Sequence, residues 1–219
     1  MSLPRPVKAV VFDMDGLLFD TEAIYHRAMV DAAVALGREM SLPLYLSMVG
    51  LPGAESKAKL AAHYGQDLDV EDFWERSRTA FHERLDAELR LKAGVVELLD
   101  HLDRLQLPRA IATSSGRPSV DHHLQAHGLT HRFDAIVAHG DYRSGKPAPD
   151  PYLKAAELLG VPPGHCLALE DSHNGVRAAA AAGMMTVMAP DMLQPTQEMR
   201  ELCVRIVETL HEVRDLLTA

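Results

Sequence analysis

Five short apolar runs separated by helical patterns are the feature that most limits the folds open to this chain of 219 residues. Short runs without polar alternation are typical of strands that are buried on both faces of a sheet. Helical patterns between the runs indicate repeated strand–helix–strand units, which form a parallel sheet covered by helices on both sides. The sequence therefore predicts an α/β core whose strands include residues 7–12, 109–112, 135–138, 166–169 and 185–188.

One interval does not follow this rhythm. Between the first two runs lie roughly a hundred residues in which helical patterns dominate, at 22–36, about 54–64 and 70–89. A crossover between parallel strands needs only about a dozen residues. We therefore expect an all-helical insert at residues 20–90 and an α/β core built from residues 1–19 and 91–219.

Charge and composition exclude several classes of partner. The net charge is −9, aromatic residues make up 5% of the chain, and no basic run is present, which is unfavourable for gripping phosphate backbones or stacking bases. The sequence contains neither a signal-peptide layout nor an apolar stretch long enough to span a bilayer. Cys166 in an apolar run and Cys203 in a C-terminal helical pattern are interpreted as small core residues in a reducing compartment. We expect a cytoplasmic protein without nucleic-acid or membrane partners.

Polar side chains follow three of the predicted strands. In an open parallel sheet, ligands bind at the carboxyl ends of the strands. Any one of these residues could be a turn residue or a helix cap, but their convergence on one edge of the sheet predicts a functional site. They are Asp13 and Asp15 after the first run, Thr113, Ser114 and Ser115 after the second, Glu170 and Asp171 after the run at 166–169, and Lys146 in the loop SGKPAPD.

This set of residues indicates metal-assisted phosphoryl transfer. Clustered carboxylates repel one another unless a cation neutralises them, and the oxygen donors of Asp13, Glu170 and Asp171 suit Mg²⁺. Lys146 and Thr113 could counter the negative charge of phosphoryl oxygens. One carboxylate is then available as a nucleophile, and a neighbour can transfer the proton.

At these residues the sequence resembles the haloacid dehalogenase superfamily of phosphotransferases over nearly the whole chain. The first motif of that family, D-x-D-G, matches residues 13–16; the second, a Thr or Ser that closes a strand, matches Thr113. The third matches Lys146 in SGKPAPDPY, and the fourth matches Glu170 and Asp171 in LEDSHNG. The DTE at residues 20–22 and the helical insert are similar to the branch of beta-phosphoglucomutases and small sugar- or glycolate-phosphate phosphatases. The resemblance implies a Rossmann-like, doubly wound parallel sheet with an inserted all-helical cap domain.

The resemblance also implies a role for each motif residue. Asp13 would attack phosphorus to form an aspartyl-phosphate, and Asp15 would protonate the leaving oxygen and later activate water. Thr113, Lys146 and the backbone N–H groups near Ser114 would bind the phosphoryl oxygens. Mg²⁺ would be bound by Asp13, the backbone carbonyl of Asp15 and Asp171, with Glu170 helping directly or through water. Gly16 would let the chain turn tightly beneath the phosphate.

The expected function is that of a Mg²⁺-dependent phosphatase acting on a small phosphorylated metabolite, either a sugar phosphate or a phosphoglycolate-like compound. The closest alternative is a beta-phosphoglucomutase-type mutase, but Tyr25 stands where that enzyme carries a histidine, with His26 one position late. Gly53 lies near the place where its phosphate-gripping arginine is expected. An alternative from another functional class is a non-catalytic Mg²⁺-binding phospho-acceptor module. Such a module would not account for Asp15 in its acid–base position or for the helical cap. The sequence does not determine the oligomeric state.

Two further patterns have ordinary explanations. GDYRSGK at residues 140–146 has the spacing of a P-loop, but Pro147 follows where that motif needs a hydroxyl and an N–H. His123 and His127 are four residues apart on a predicted helix, but HLQAH lacks the glutamate of a zinc-binding H-E-x-x-H motif. With His122 and His131 they are therefore expected on a solvated helix face. Tyr25, His26 and Lys57 are candidates for substrate contact from the cap, but a structural role is the preferred interpretation of each.

Overall fold

The strands of the chain form one parallel sheet. In the computed structural model, which describes residues 3–218 apart from the side chains of Gln66 and Thr218, the strand order is β3–β2–β1–β4–β5–β6, with every pair parallel. The predicted α/β fold with a doubly wound parallel sheet is confirmed. The strands are β1 Ala9–Phe12, β2 Arg109–Gly116, β3 Ala135–His139, β4 Cys166–Glu170, β5 Met185–Met188 and β6 Arg205–Ile206.

Burial explains which strands the sequence pattern predicts well. Every residue of β1, β4 and β5 is buried, and apart from Thr186 and the terminal Glu170 their sequences are apolar. β2 continues beyond its apolar part through polar residues to Gly116, and its pairing with β3 shifts register after Ala112. β6 has two half-buried residues and was not predicted, because so short a segment leaves no pattern to detect.

In the sequence between β1 and β2, the chain forms a second unit. The first unit runs to Phe19 and resumes at Leu91, and the second spans Asp20–Arg90. In the described part of the second unit, the only regular elements are helices and one short 3₁₀ turn. Helix α2 was not predicted because it has only five residues. The helices are α1 Thr21–Ala35, α2 Leu42–Leu46, α3 Gly53–Tyr64 and α4 Val70–Glu88.

Helix α4 packs on α1 through a buried side and a charged rim. Phe73 and Leu85 of α4 are buried, and Asp69 caps its N-terminus by accepting from the backbone N–H groups of residues 71 and 72 at 3.0 Å. At the rim, Arg84 donates to Asp31 of α1 at 2.5 Å and to Glu88 at 2.7 Å. The second unit therefore has its own hydrophobic core and its own ion pairs.

The helices of the first unit cover the sheet. Helix α5 turns Leu98, Leu99 and Leu102 into the core, and α8 is capped by Ser172, whose hydroxyl accepts from the N–H of Gly175 at 3.1 Å. Among residues 3–218, no helix combines the length and apolar character needed to cross a bilayer. The helices are α5 Val95–Leu105, α6 Arg117–Ala126, α7 Asp150–Leu159, α8 His173–Ala181, α9 Gln197–Leu202 and α10 Leu210–Thr218.

Two predictions about single residues are wrong. Cys203 lies directly after α9, not within a helix, and is half-buried, whereas Cys166 is fully buried in β4; burial raises the pKa of each thiol to about 11. His123 is 2% exposed and does not belong to a solvated face. Its ring packs edge-on against Phe19 with 5.4 Å between the ring centroids, because α6 turns this residue toward the core.

Helix α5 generates a stability prediction at its first turn. Gly94 has a φ of 89°, and a Cβ there would lie 2.8 Å from the carbonyl carbon of Leu210 and closer still to the backbone N of His211. Gly128 has a φ of 68° with nothing within 4 Å of such a Cβ. Both Gly94→Ala and Gly128→Ala should lose about 1–2 kcal/mol from left-handed strain. Gly94→Ala should lose about 1–3 kcal/mol more from overpacking.

Urea unfolding of both variants measures this difference. Because the two glycines share the strained backbone conformation, the excess loss at Gly94 isolates the contact between α5 and the start of α10. Equal losses in unfolding free energy for the two variants would contradict the packing described for Gly94.

Candidate active site

The polar side chains at the carboxyl ends of β2, β1 and β4 meet because these strands are neighbours in the sheet. Asp13 continues β1, and its backbone N–H donates to the carbonyl of Leu169 in β4 at 2.9 Å. Glu170 is the last residue of β4, and Phe12 pairs with Leu169, so Asp13 is aligned with Glu170. Asp13, Thr113, Glu170 and Asp171 are all buried. The structure thus brings four of the predicted residues together at one sheet edge.

Lys146 lies between two of these carboxylates. Its Nζ forms an ion pair with Oδ1 of Asp13 and another with Oε1 of Glu170, the latter at 2.5 Å. The Lys146 side chain is 7% exposed. Burial by itself would lower the pKa of Lys146, but the charges of Asp13 and Glu170 raise it above its ordinary value. Lys146 is therefore an ammonium ion that partly neutralises the acidic cluster.

Glu170 accepts hydrogen bonds from five donors. Its Oε1 accepts from Lys146 and, at 2.7 Å, from the hydroxyl of Tyr152. Its Oε2 accepts from the backbone N–H of Asp171 at 3.1 Å and from the N–H and hydroxyl of Ser172 at 3.1 and 3.0 Å. A carboxylate has about four lone-pair sites, so these five donors occupy its hydrogen-bonding capacity.

The packing around Glu170 also restricts the neighbouring positions. A Cβ on Gly175 of α8 would overlap the carboxyl group of Glu170, so only glycine fits there. Tyr152 of α7 is fully buried, and its ring lies 5.0 Å from Nζ of Lys146. Tyr152 thus contacts both members of the Lys146–Glu170 pair. Its role was missed, since the letters DPY after the lysine motif do not reveal which way the side chain faces.

Asp15 lies in a different environment from Asp13. Its Oδ2 accepts from the Ser115 hydroxyl at 2.7 Å, and the Thr113 hydroxyl lies 3.5 Å away. The N–H of Ser115 donates to Oγ1 of Thr113 at 3.0 Å. Ser114 is exposed. The partner of Asp15 is therefore Ser115, which the sequence placed at the strand end without a separate role.

The electrostatics of the cluster favour a bound cation. Burial, which is the largest cause, and the charges of Glu170 and Asp15 raise the pKa of Asp13 to about 8, although Lys146 opposes them. Asp13, Glu170 and Asp171 each offer one oxygen, and these oxygens lie within 4.8 Å of one another. Because carboxylate oxygens suit hard divalent ions, the donor set fits a divalent metal site.

Gly16 closes this cluster from the side of β1. Its φ is 86°, and a Cβ there would lie 2.9 Å from Cγ of Asp171. The glycine therefore supplies both the left-handed turn after Asp15 and the space that the Asp171 carboxylate fills.

Comparison with known proteins is consistent with this chemistry. The family model for haloacid dehalogenase-like hydrolases matches residues 10–189. A probable pseudouridine-5′-phosphatase of Drosophila melanogaster is 36% identical over 193 residues, covering 85% of this chain and 83% of its own. A phosphorylated carbohydrates phosphatase of Thermotoga maritima is 33% identical over 182 residues, covering 81% and 82%. The structure of CbbY from Rhodobacter sphaeroides in complex with phosphate superposes with a TM-score of 0.77 at 28% identity, covering 94% and 96%.

The hydrogen bond from Tyr152 to Glu170 generates a testable prediction. Tyr152→Phe removes one donor from a buried carboxylate and should lower the free energy of unfolding by about 1.5–3 kcal/mol. Tyr142→Phe is the matched control, because the half-buried Tyr142 donates to the neutral carbonyl of Thr113 at 3.3 Å. The control should lose about 1 kcal/mol or less. Denaturant unfolding measures both, and a Tyr152→Phe loss no larger than the control would show that this hydroxyl does not support Glu170.

Proposed function

The chain belongs to the haloacid dehalogenase-like hydrolase family, and on that premise we propose that it is a Mg²⁺-dependent phosphatase of a small phosphorylated metabolite. The observation that carries the proposal is the contrast between two carboxylates in one motif. Asp13 is buried beside Lys146, whereas Asp15 is half-buried and held by hydroxyl groups. Such a contrast separates a nucleophile from an acid–base group.

In the proposed reaction, a carboxylate oxygen of Asp13 attacks phosphorus while the bond between phosphorus and the leaving oxygen breaks. Asp15 gives its proton to that leaving oxygen, and the phosphoryl group stays on Asp13 as an acyl phosphate. A water molecule then loses a proton to Asp15 and attacks the same phosphorus. This second step releases inorganic phosphate and returns both carboxyl groups to their starting protonation states.

Lys146, Thr113 and the loop that contains Ser114 are the proposed phosphoryl-binding groups. The ammonium of Lys146 already contacts Asp13, so it lies next to the proposed site of attack. The buried hydroxyl of Thr113 and the backbone N–H groups near Ser114 can donate to the peripheral oxygens. Positive charge and fixed donors of this kind stabilise the charge that develops during transfer.

Asp13, Asp171 and the backbone carbonyl of Asp15 are the proposed holders of Mg²⁺. The fit rests on a donor set made only of oxygens and on the raised pKa of Asp13. A cation beside Asp13 would lower this pKa again. Mg²⁺ supplies positive charge that offsets the phosphoryl oxygens. Glu170 is occupied by five donors, so its proposed contribution is to orient Lys146 and Asp171 rather than to contact the ion.

The proposed substrates are sugar phosphates and small phosphorylated acids such as phosphoglycolate-like compounds. The name of the Thermotoga maritima relative, phosphorylated carbohydrates phosphatase, supports the sugar phosphates. Inorganic phosphate bound to the CbbY structure supports a phosphoryl site in this fold. Although the chain has a net charge of −9, the buried ammonium of Lys146 places positive charge beside Asp13, where it could attract an anionic substrate.

A mutase that passes a phosphoryl group between two positions of a sugar is the second candidate. That reaction needs an additional proton-transfer group, and in this chain Tyr25 stands where the mutase carries its histidine. The phenol packs against Trp74 and Phe81, and burial raises its pKa to about 12. Such a group does not exchange protons readily at neutral pH, which favours hydrolysis.

A screen over metabolite phosphates tests the proposal directly. With Mg²⁺ present, the protein should release inorganic phosphate from sugar phosphates or phosphoglycolate-like compounds, and a chelator should stop the release because Asp13 then lacks its cation. A parallel assay for glucose-1-phosphate isomerisation should show none. Isomerisation without net phosphate release would favour the mutase, and no turnover with or without metal would favour the non-catalytic phospho-acceptor module.

Two substitutions test the separate roles of Asp13 and Asp15. Asp13→Asn should bring turnover below detection with the fold retained, because the amide is a poor nucleophile. Asp15→Asn should lower kcat about 10²–10⁴-fold, with a smaller loss on an aryl phosphate, whose leaving group needs less protonation. Asp121→Asn is the control, because Asp121 is exposed on α6. Substantial activity in Asp13→Asn, measured as phosphate release, would refute the nucleophile assignment.

A further inference from the structure

Asp191 carries a buried oxygen that no residue in the described part of the chain satisfies. The residue lies just beyond β5, at the same edge of the sheet as the candidate site. Its Oδ1 accepts from Nζ of Lys92 at 2.6 Å. Its Oδ2 is buried and has no hydrogen-bond partner among the described residues. Since buried carboxylate oxygens are normally hydrogen-bonded, Oδ2 requires a donor from outside residues 3–218.

The unpartnered oxygen borders the acidic cluster. A Cβ on Gly16 would lie 3.4 Å from Oδ2 of Asp191 and 2.9 Å from Cγ of Asp171. Gly16 directly follows Asp15, whose backbone carbonyl is one of the proposed cation ligands. Oδ2 of Asp191 is therefore next to two of the groups proposed to surround Mg²⁺.

Lys92 holds the Asp191 carboxylate in this orientation. The Asp191 side chain is 13% exposed and that of Lys92 is 28% exposed, so the ion pair is largely shielded from water. The backbone N–H of Lys92 donates to the carbonyl of Leu18 at 2.9 Å, which fixes the chain from which the lysine extends. With Oδ1 bound to Lys92, the carboxylate cannot turn Oδ2 toward solvent without losing that ion pair.

We propose that Asp191 is a positioning residue of the cation site, whose Oδ2 accepts a hydrogen bond from a water molecule bound to Mg²⁺. The inference rests on the proposed function, since it requires that Mg²⁺ binds at this cluster. Mg²⁺ usually keeps several of its waters in proteins, and carboxylates outside the inner ligands strengthen and orient such groups. Asp191 is not assigned as a direct ligand, because the oxygens within 4.8 Å of one another belong to Asp13, Glu170 and Asp171.

The competing explanation is that Asp191 only forms a structural ion pair. In that case Lys92 and Asp191 join the segment after Leu91 to the end of β5, and the loss of either residue should have similar consequences. The two explanations differ in which partner matters for the cation. A water-accepting role requires Oδ2 of Asp191, whereas a purely structural role requires both residues equally.

Calorimetric titration of the full chain with MgCl₂, without substrate, separates the two explanations. Asp191→Asn should weaken Mg²⁺ binding about 10-fold or more. The amide either places an NH₂ group where the water molecule needs an acceptor, or accepts through an oxygen that carries no negative charge. Lys92→Gln keeps that oxygen and should weaken binding less than Asp191→Asn. Asp121→Asn, an exposed change of the same chemistry, should bind Mg²⁺ like the wild type.

Kinetics provide a second readout that a purely structural role would not move. In Asp191→Asn the Mg²⁺ concentration for half-maximal activity should rise in proportion to the weaker binding, while kcat at saturating Mg²⁺ stays within about twofold. Unfolding in the absence of metal verifies that the variant is folded. Wild-type affinity in Asp191→Asn, or an equal loss in Lys92→Gln, would overturn the inference. A wild-type chain that binds no Mg²⁺ would overturn both the inference and the metal dependence proposed above, whereas the first two results leave the proposed function intact.

Discussion

The ion pairs of Lys146 are the interaction on which the acidic edge of the sheet depends. Asp13 and Glu170 come from neighbouring strands and are both buried, and two such carboxylates would repel each other strongly without a cation between them. The buried ammonium of Lys146 contacts both. Removing one member of such a buried set leaves the others uncompensated, which is far more costly than the net value of the pair. The lysine thus neutralises the two buried carboxylates, and in the proposed reaction the same charge would bind the phosphoryl group.

A hydrogen-bonded layer behind this pair keeps Lys146 in place. Tyr152 and Ser172 occupy the oxygens of Glu170, and Gly175 leaves the space that the carboxylate fills. Glu170 is therefore committed to the protein, whereas Asp13 is the carboxylate whose raised pKa shows incomplete compensation. The negative charge of Asp13 is incompletely compensated at the place where a cation and a substrate would act. The carboxylate of Glu170 is fully hydrogen-bonded at the place where Lys146 must be held rigidly. This division is typical of sites in which outer groups orient the reacting ones.

The strands and the acidic cluster could be predicted from sequence because both depend on local patterns. Apolar runs mark buried strands, and the ends of parallel strands meet by topology alone. Contacts that depend on side-chain direction could not be predicted: Ser115 beside Asp15, Tyr152 beside Glu170, and Asp191 beside Gly16. His123 was assigned to a solvated face because spacing along a helix shows which residues share a side but not which side faces the core. The short elements α2 and β6 contain too few residues for any periodicity.

The loop after β1 explains how Asp13 and Asp15 acquire different surroundings only two positions apart. Asp13 still pairs with β4 through its backbone, while Leu18 donates to the carbonyl of Met14 at 2.9 Å and Gly16 donates to that of Phe19 at 2.8 Å. These bonds close the turn on itself before residue 20, and Met14 is fully buried within it. The turn is thus closed by bonds within residues 14–19 and by the N–H of Lys92, which donates to the carbonyl of Leu18 at 2.9 Å.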